Sequence, residues 1–110
     1  MKILIAGSRS IKDFDLSEYI PEDVELIITG GASGIDSIAE QYADKHKISK
    51  LVLRPDYHRY GKGAPLVRNK KMVDLADRVI IIWNGRSSGT KFTLEYAKNT
   101  RKNIVLINTQ

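Results

Sequence analysis

The sequence predicts an α/β fold, a three-layer sandwich in which helices cover both faces of a five-stranded parallel sheet. Three observations carry this expectation. Short, β-branched apolar runs recur from end to end of the chain. Between them lie segments whose apolar residues follow the i, i+3, i+4, i+7 spacing of a helix face. The runs themselves lack polar alternation, which suits strands buried on both sides, as parallel strands are. Strands and helices in strict alternation imply right-handed crossovers between parallel neighbours.

The elements follow in order. Ile3-Leu4-Ile5-Ala6 is the first strand, closed by Gly7. The first crossover is weak: Leu16 to Ile20 has room for one or two helical turns before Pro21. Val24 to Thr29 is the second strand, closed by Gly30. Ile35, Ile38, Ala39, Tyr42 and Ala43 then fall on one face of a helix. Leu51-Val52-Leu53 is the third strand. Leu66, Val67, Lys70 and Val73 with Leu75-Ala76 form the next helix, and Pro65 suits its first turn. Val79 to Trp83 is the fourth strand. Phe92, Leu94, Tyr96 and Ala97 give a less regular helix bounded by Gly89 and Asn103, and Ile104 to Ile107 is the fifth strand. This βαβαβαβαβ pattern is Rossmann-like, with an expected strand order of 3-2-1-4-5.

Composition bounds the function. With 110 residues the chain reads as a single domain spanning 1–110, and 42% hydrophobic with 28% charged residues is an ordinary globular balance. No apolar run approaches the ~20 residues that span a bilayer, and Met1-Lys2 leads directly into a strand. A cytoplasmic protein without membrane association is expected. The absence of cysteine excludes disulfides, cysteine nucleophiles and cysteine-based zinc sites. His46 and His58 are too few for a metal cluster, so neither a metal nor a cofactor is expected. The net charge of +5 and the pI near 9.5 suit small anions or nucleic acid without deciding between them. Lys45, Lys47, Lys50, Lys70, Lys71, Arg101 and Lys102 are dispersed, and read mostly as solvated faces and helix ends.

In sheets of this kind ligands bind beyond the carboxyl ends of the strands, near the point where strand order reverses. Gly7-Ser8-Arg9 follows the first strand, Gly30 to Gly34 the second, Arg54 to Gly63 the third and Asn84 to Thr90 the fourth. In Gly30-Gly31-Ala32-Ser33-Gly34, small residues join a strong strand to a strong helix. There the backbone can approach a ligand and the helix dipole favours phosphate. The spacing is neither G-x-G-x-x-G nor a P-loop. Gly61 and Gly63 read as ordinary turn glycines.

Taken together, Gly7-Ser8-Arg9, Thr29 to Asp36, Tyr60-Gly61-Lys62, Pro65, Arg68 to Met72, Asp77 and Ser88-Gly89-Thr90 form an ordered set over nearly the whole chain. That set resembles the SLOG superfamily, which joins DNA-processing protein A with the Lonely Guy phosphoribohydrolases, and is closest to its small YspA-like branch. The resemblance implies a Rossmann-like fold and a nucleotide-type ligand at the strand ends. The ligand-binding candidates are Gly7, Ser8, Arg9, Gly30, Gly31, Ala32, Gly34, Asp36, Arg68, Asn69, Ser88, Gly89 and Thr90.

Arg68 aligns with an arginine of the Lonely Guy phosphoribosyl site, where a rigid fork of donors suits phosphate or ribose; the alternative is a surface salt bridge. Asn69 donates to a ligand or caps the helix, and Met72, four residues from Arg68 on the same face, reads as core. Ser88-Gly89-Thr90 resembles the Gly-Thr turn of the family's second phosphate loop, though Ser and Thr also cap helices. Asp36 either satisfies the helix dipole or accepts from a ribose hydroxyl. Trp83 stacks on a base or packs at the sheet edge.

The catalytic residue is less well marked. Lonely Guy enzymes carry a glutamate three residues after the Gly-Thr pair, and Thr93 stands there in this chain. Glu95 lies about 200° around the helix from Thr93, on the opposite face. Asp36 and Arg68 are weak catalytic candidates, with Asp56 a further source of a carboxylate. The preferred function is a binding module or sensor for a nucleotide-derived, phosphate-bearing ligand. The alternatives are a nucleoside 5'-monophosphate N-glycosidase and a single-stranded DNA-binding protein. Nucleic acid is the less favoured partner, because Tyr57 to Tyr60 offers one short basic-aromatic patch rather than a groove. A second copy of the chain is a candidate partner, since Lonely Guy proteins dimerise.

Overall fold

The computed structural model describes residues 1–109, and its five parallel strands form one sheet. The strands are β1 (Lys2–Gly7), β2 (Leu26–Thr29), β3 (Ser49–Val52), β4 (Arg78–Trp83) and β5 (Asn103–Asn108). They lie in the order β3-β2-β1-β4-β5, and every neighbouring pair is parallel. Helices α1 (Ile35–Lys45), α2 (Tyr57–Tyr60), α3 (Ala64–Leu75) and α4 (Ser88–Asn99) connect them, with a 3₁₀ turn at Gly61–Gly63. Strand order reverses at β1, so a crevice opens beyond the ends of β1 and β4.

Alternation along β1 and β4 divides the core in two. Ile3 and Ile5 pack with Ile80, Ile82 and the Ile35-Ala39-Ala43 stripe of α1. Leu4 and Ala6 pack with Val79, Ile81 and residues of α3 and α4 on the other face. Val79, Ile80, Ile81 and Ile82 are each 0% exposed, as a central parallel strand requires. Each contributes about 1.5–3 kcal/mol by leaving water. Asp77 ties β1 to β4 at their starts: its carboxylate accepts from the Lys2 amide (2.8 Å) and its own amide donates to the Lys2 carbonyl (2.8 Å). No helix among the described residues is long and apolar enough to cross a membrane.

Several expected boundaries shift. Leu16 to Ile20 forms turns rather than a helix. The Asp15 carboxylate accepts from the Ser17 amide (2.9 Å), an alternative to helical pairing in a segment too short to nucleate a helix before Pro21. Leu16 is nevertheless 1% exposed, and Phe14 stacks on Tyr19 at 5.9 Å over the sheet. Strand β2 begins at Leu26 rather than Val24, and β3 covers Ser49–Val52 rather than residues 51–53.

In α3 the inward face is Arg68, Asn69, Met72 and Val73, whereas Leu66 and Leu75 are exposed. The apolar stripe anticipated there was therefore rotated from the true buried face, because two of the buried residues are polar. In α4 the inward residues are Thr90, Thr93, Leu94 and Ala97, with Phe92 and Tyr96 half-buried. Tyr57–Tyr60 forms a short helix within the connection from β3 to α3.

Candidate functional site

The Gly-rich turn after β2 is shaped by two arginines. Arg68 Nη1 donates to the Gly30 carbonyl (2.7 Å) and to the Leu53 carbonyl (3.1 Å). Arg54 Nη1 donates to the Gly31 carbonyl (3.2 Å). A Cβ on Gly30 would meet Arg68 Nη1 at 2.7 Å and Asp36 Oδ2 at 3.0 Å, so the guanidinium needs a glycine there. Gly34 caps α1 at φ 75°, and a Cβ would stand 2.5 Å from the carbonyl oxygens of Ser8 and Arg9. The close approaches that explain these two glycines thus come from the protein itself. Ala32 is the turn residue that reaches the crevice; its amide donates to Asp36 Oδ2 (3.2 Å).

Arg68 is 9% exposed, and its Nε donates to Asn69 Oδ1 (2.7 Å). Asn69 thus orients the guanidinium rather than capping α3. Among the described residues Arg68 Nη2 has no protein acceptor. Arg68 and Asp36 flank Gly30 without closing an ion pair, the ion pairs of the described residues lying elsewhere. Burial raises the Asp36 pKa, an effect opposed by the Ala32 amide and the Arg68 charge. Burial likewise lowers the Arg68 pKa against the attraction of Asp36. For both groups desolvation is the largest influence and disfavours the charged form, with their mutual attraction acting against it.

The third wall is the start of α4. Ser87 is its N-cap, and Ser87 Oγ accepts from the Thr90 amide (3.3 Å) and the Thr90 hydroxyl (3.0 Å). Trp83 Nε1 donates to the Ser87 carbonyl (3.1 Å) and its ring packs against the core, so the indole braces the cap. Nothing lies within 4 Å of a Cβ built on Gly89. Ser8 acts from below: it is 1% exposed, its Oγ accepts from the Asn84 amide (3.0 Å) and its carbonyl from the Ile35 amide (3.3 Å).

These walls enclose a cavity of about 70 Å³. Gly7, Arg9, Ala32, Asp36, Arg68, Asn69, Gly89 and Thr90 all line it, so residues proposed from three separate turns and from helix α3 meet in one place. Ser87, Met72 and Thr93 line it as well. Ser8, Gly30, Gly31 and Gly34 support the walls from behind, and Ser88 faces a wider outer cleft of about 790 Å³. Arg9, Ser87 and Gly89 border both spaces, which makes the outer cleft the mouth of the inner one. Lys62 and Arg86 add positive charge to that mouth, and Leu66 and Phe92 give it an apolar side.

Sequence reasoning missed Ser87 and Arg54. A serine directly before a helix is an N-cap signal that identifies the first; the second lacked any local pattern. Thr93 is 2% exposed, lines the cavity and donates its hydroxyl to the Gly89 carbonyl (3.1 Å). Glu95 is exposed on the other side of α4, and Asp56 caps α2, where its Oδ1 accepts from the Arg59 amide (3.1 Å). Asp36 is the carboxylate that lines the inner cavity.

The Gene 61 protein of Mycobacterium phage D29 is 30% identical over 110 residues, covering 88% of this chain and 88% of that protein. No solved structure gives a significant match. The family model for the YspA, cpYpsA-related SLOG family matches residues 1–60, the part of the chain that holds β1, the Gly-rich turn and α1. The chain belongs to the YspA, cpYpsA-related SLOG family.

Proposed function

We propose that the chain binds a nucleotide or nucleotide-derived, phosphate-bearing ligand in the crevice beyond β1 and β4, as a binding module or sensor. The observation that carries this reading is the placement of a buried guanidinium, that of Arg68, beside the cavity that the start of α4 faces. Among the described residues that guanidinium closes no ion pair, and its Nη2 is left to donate to an anion in the cavity. Helix amides and a second arginine, Arg9, supply further donors at the same wall.

Asp36 gives the cleft a direction. Its carboxylate occupies the Ala32 amide on the Gly-rich wall, so a phosphate there would meet a like charge. The phosphate therefore sits between Arg9, Arg68 and α4, and Asp36 accepts from a ribosyl hydroxyl. The inner cavity of about 70 Å³ has room for about five water-sized spheres. That is enough for a phosphoryl or ribosyl group, so the base lies in the outer cleft beside Leu66 and Phe92.

A panel of nucleotides screened by thermal denaturation tests the reading. A ligand present at about 100 times its Kd stabilises the fold by about 2.7 kcal/mol, a shift of several degrees in Tm. If no member of the panel raises Tm, the binding reading loses its basis. A second reading, N-glycosidic hydrolysis, is favoured by the presence of Asp36 in the cavity with its pKa raised by burial. It requires release of free base or ribose 5-phosphate from a nucleoside monophosphate, and loss of that release in Asp36→Asn.

A further inference from the structure

A separate niche of about 60 Å³ lies beyond the end of β3, on the other side of Arg68 from the crevice. Arg68 borders both spaces. Arg54 and Lys71 join it around the niche, against one carboxylate, that of Asp56. Asp56 is itself committed as the α2 cap through the Arg59 amide (3.1 Å). Lys71 Nζ takes part in none of the ion pairs among the described residues; it stands 5.4 Å from the centre of the Tyr60 ring, whose other cationic neighbour is Arg59 at 5.3 Å. Leu53, Ala64 and Val67 form the apolar part of the lining.

Arg54 and Lys71 border the niche from its exposed side and Arg68 from its buried side, so an anion there meets three positive charges beside apolar side chains. Arg68 adds the stronger indication: it is 9% exposed and its Nη2 has no protein acceptor among the described residues. The volume decides the class of anion. About 60 Å³ holds roughly four water-sized spheres, enough for a phosphoryl group and too little for a nucleoside. We propose that this niche is a phosphoryl subsite formed by Arg54, Lys71 and Arg68 beside the Tyr60 ring, with Arg68 as the partition between it and the inner cavity. The subsite shares Arg68 with the crevice and takes Arg54 and Lys71 from outside it, so it does not require a nucleotide in the crevice. Its phosphoryl group is either free inorganic phosphate or the second phosphate of a ligand that reaches across Arg68.

The test is a ¹H–¹⁵N NMR titration with inorganic phosphate, followed for the wild type, Lys71→Gln and Lys71→Arg. Lys71 is exposed and outside the crevice, so both variants fold. Saturating shifts of the amides of residues 53–60 and 67–71 are expected in the wild type. Lys71→Gln should weaken phosphate by about tenfold or more, as loss of a charge-assisted contact does, and Lys71→Arg should retain it. Phosphate shifts that are absent from these residues, that fail to saturate, or that are unchanged in Lys71→Gln overturn the subsite. Adding adenosine 5'-monophosphate and adenosine 3',5'-bisphosphate separates the sources. Phosphate that binds independently of the monophosphate acts as a separate anion, and phosphate displaced by the bisphosphate alone marks a ligand spanning both spaces. A nucleotide-dependent Tm shift that persists in Lys71→Gln keeps the two proposals distinct, because it reports the crevice and not the niche.

Discussion

Replacing Arg68 by alanine strips the donor from two backbone carbonyls at once, those of Gly30 and Leu53, and leaves Asn69 without its partner. Each buried acceptor left unpaired costs about 1–3 kcal/mol, so Arg68→Ala should lower the unfolding free energy measurably in urea titration. Arg68→Lys keeps the charge and loses the planar fork, and should recover little of either stability or ligand binding. Asp36 acts in the opposite sense. Its folded-state pKa is raised by burial, so its favourable contribution is fully present below the unfolded carboxyl pKa and is lost as pH rises through the folded value. Asp36→Asn should therefore be more stable than the wild type at neutral pH, with the gain vanishing as acid is added; denaturation across that pH range checks the sign. Gly89 separates binding from folding, because a Cβ there meets nothing within 4 Å and the position opens on the cavity. Gly89→Leu should fold normally and lose the nucleotide-dependent Tm shift, since Gly89 lines the inner cavity.

At the scale of elements, α1 was legible because Ile35, Ala39 and Ala43 make a stripe of ordinary apolar residues that are all buried. The inward face of α3 was not, because it carries Arg68 and Asn69, whose polarity reads as exposure in any periodicity. The same substitution of polar for apolar residues hid the inner face of α4, where Thr90 and Thr93 are inside. In both helices the misleading positions are those that line the cavity, as expected where function competes with packing. The cap of α4 was displaced by one residue from the Ser88 turn to Ser87, whose Oγ holds Thr90. Ser87→Ala should cost about 1 kcal/mol by thermal denaturation, the usual value of an N-cap.

For the molecule as a whole, the parallel sheet was readable from the alternation of runs and helical stripes, and the strand order 3-2-1-4-5 followed from the Rossmann-like expectation, since alternation fits the order 2-1-3-4-5 as well. The turns that gather at the strand ends were readable for the same reason. Long-range pairings were not: the Arg54 bond to Gly31 and the Arg68 bond to Gly30 join residues 23 and 38 positions apart, with no spacing rule to announce them. The first crossover escaped because it covers the sheet with an irregular segment held by Leu16 and the Phe14–Tyr19 stack rather than by a helix. Native-state hydrogen exchange should show this unevenness, with amides of β1 and β4 most protected and those of residues 9–23 exchanging earliest.

The central claim is that turns from separate strands converge on one ligand-binding crevice. It is tested most directly by ¹H–¹⁵N NMR titration of the intact chain with the nucleotide panel. At least one nucleotide should shift Arg9, Ala32, Asp36, Arg68, Asn69, Gly89 and Thr90 together, in saturable and co-varying fashion, because they line one cavity. A panel that leaves those amides unmoved, or that shifts a surface remote from the ends of β1 and β4, would contradict the account.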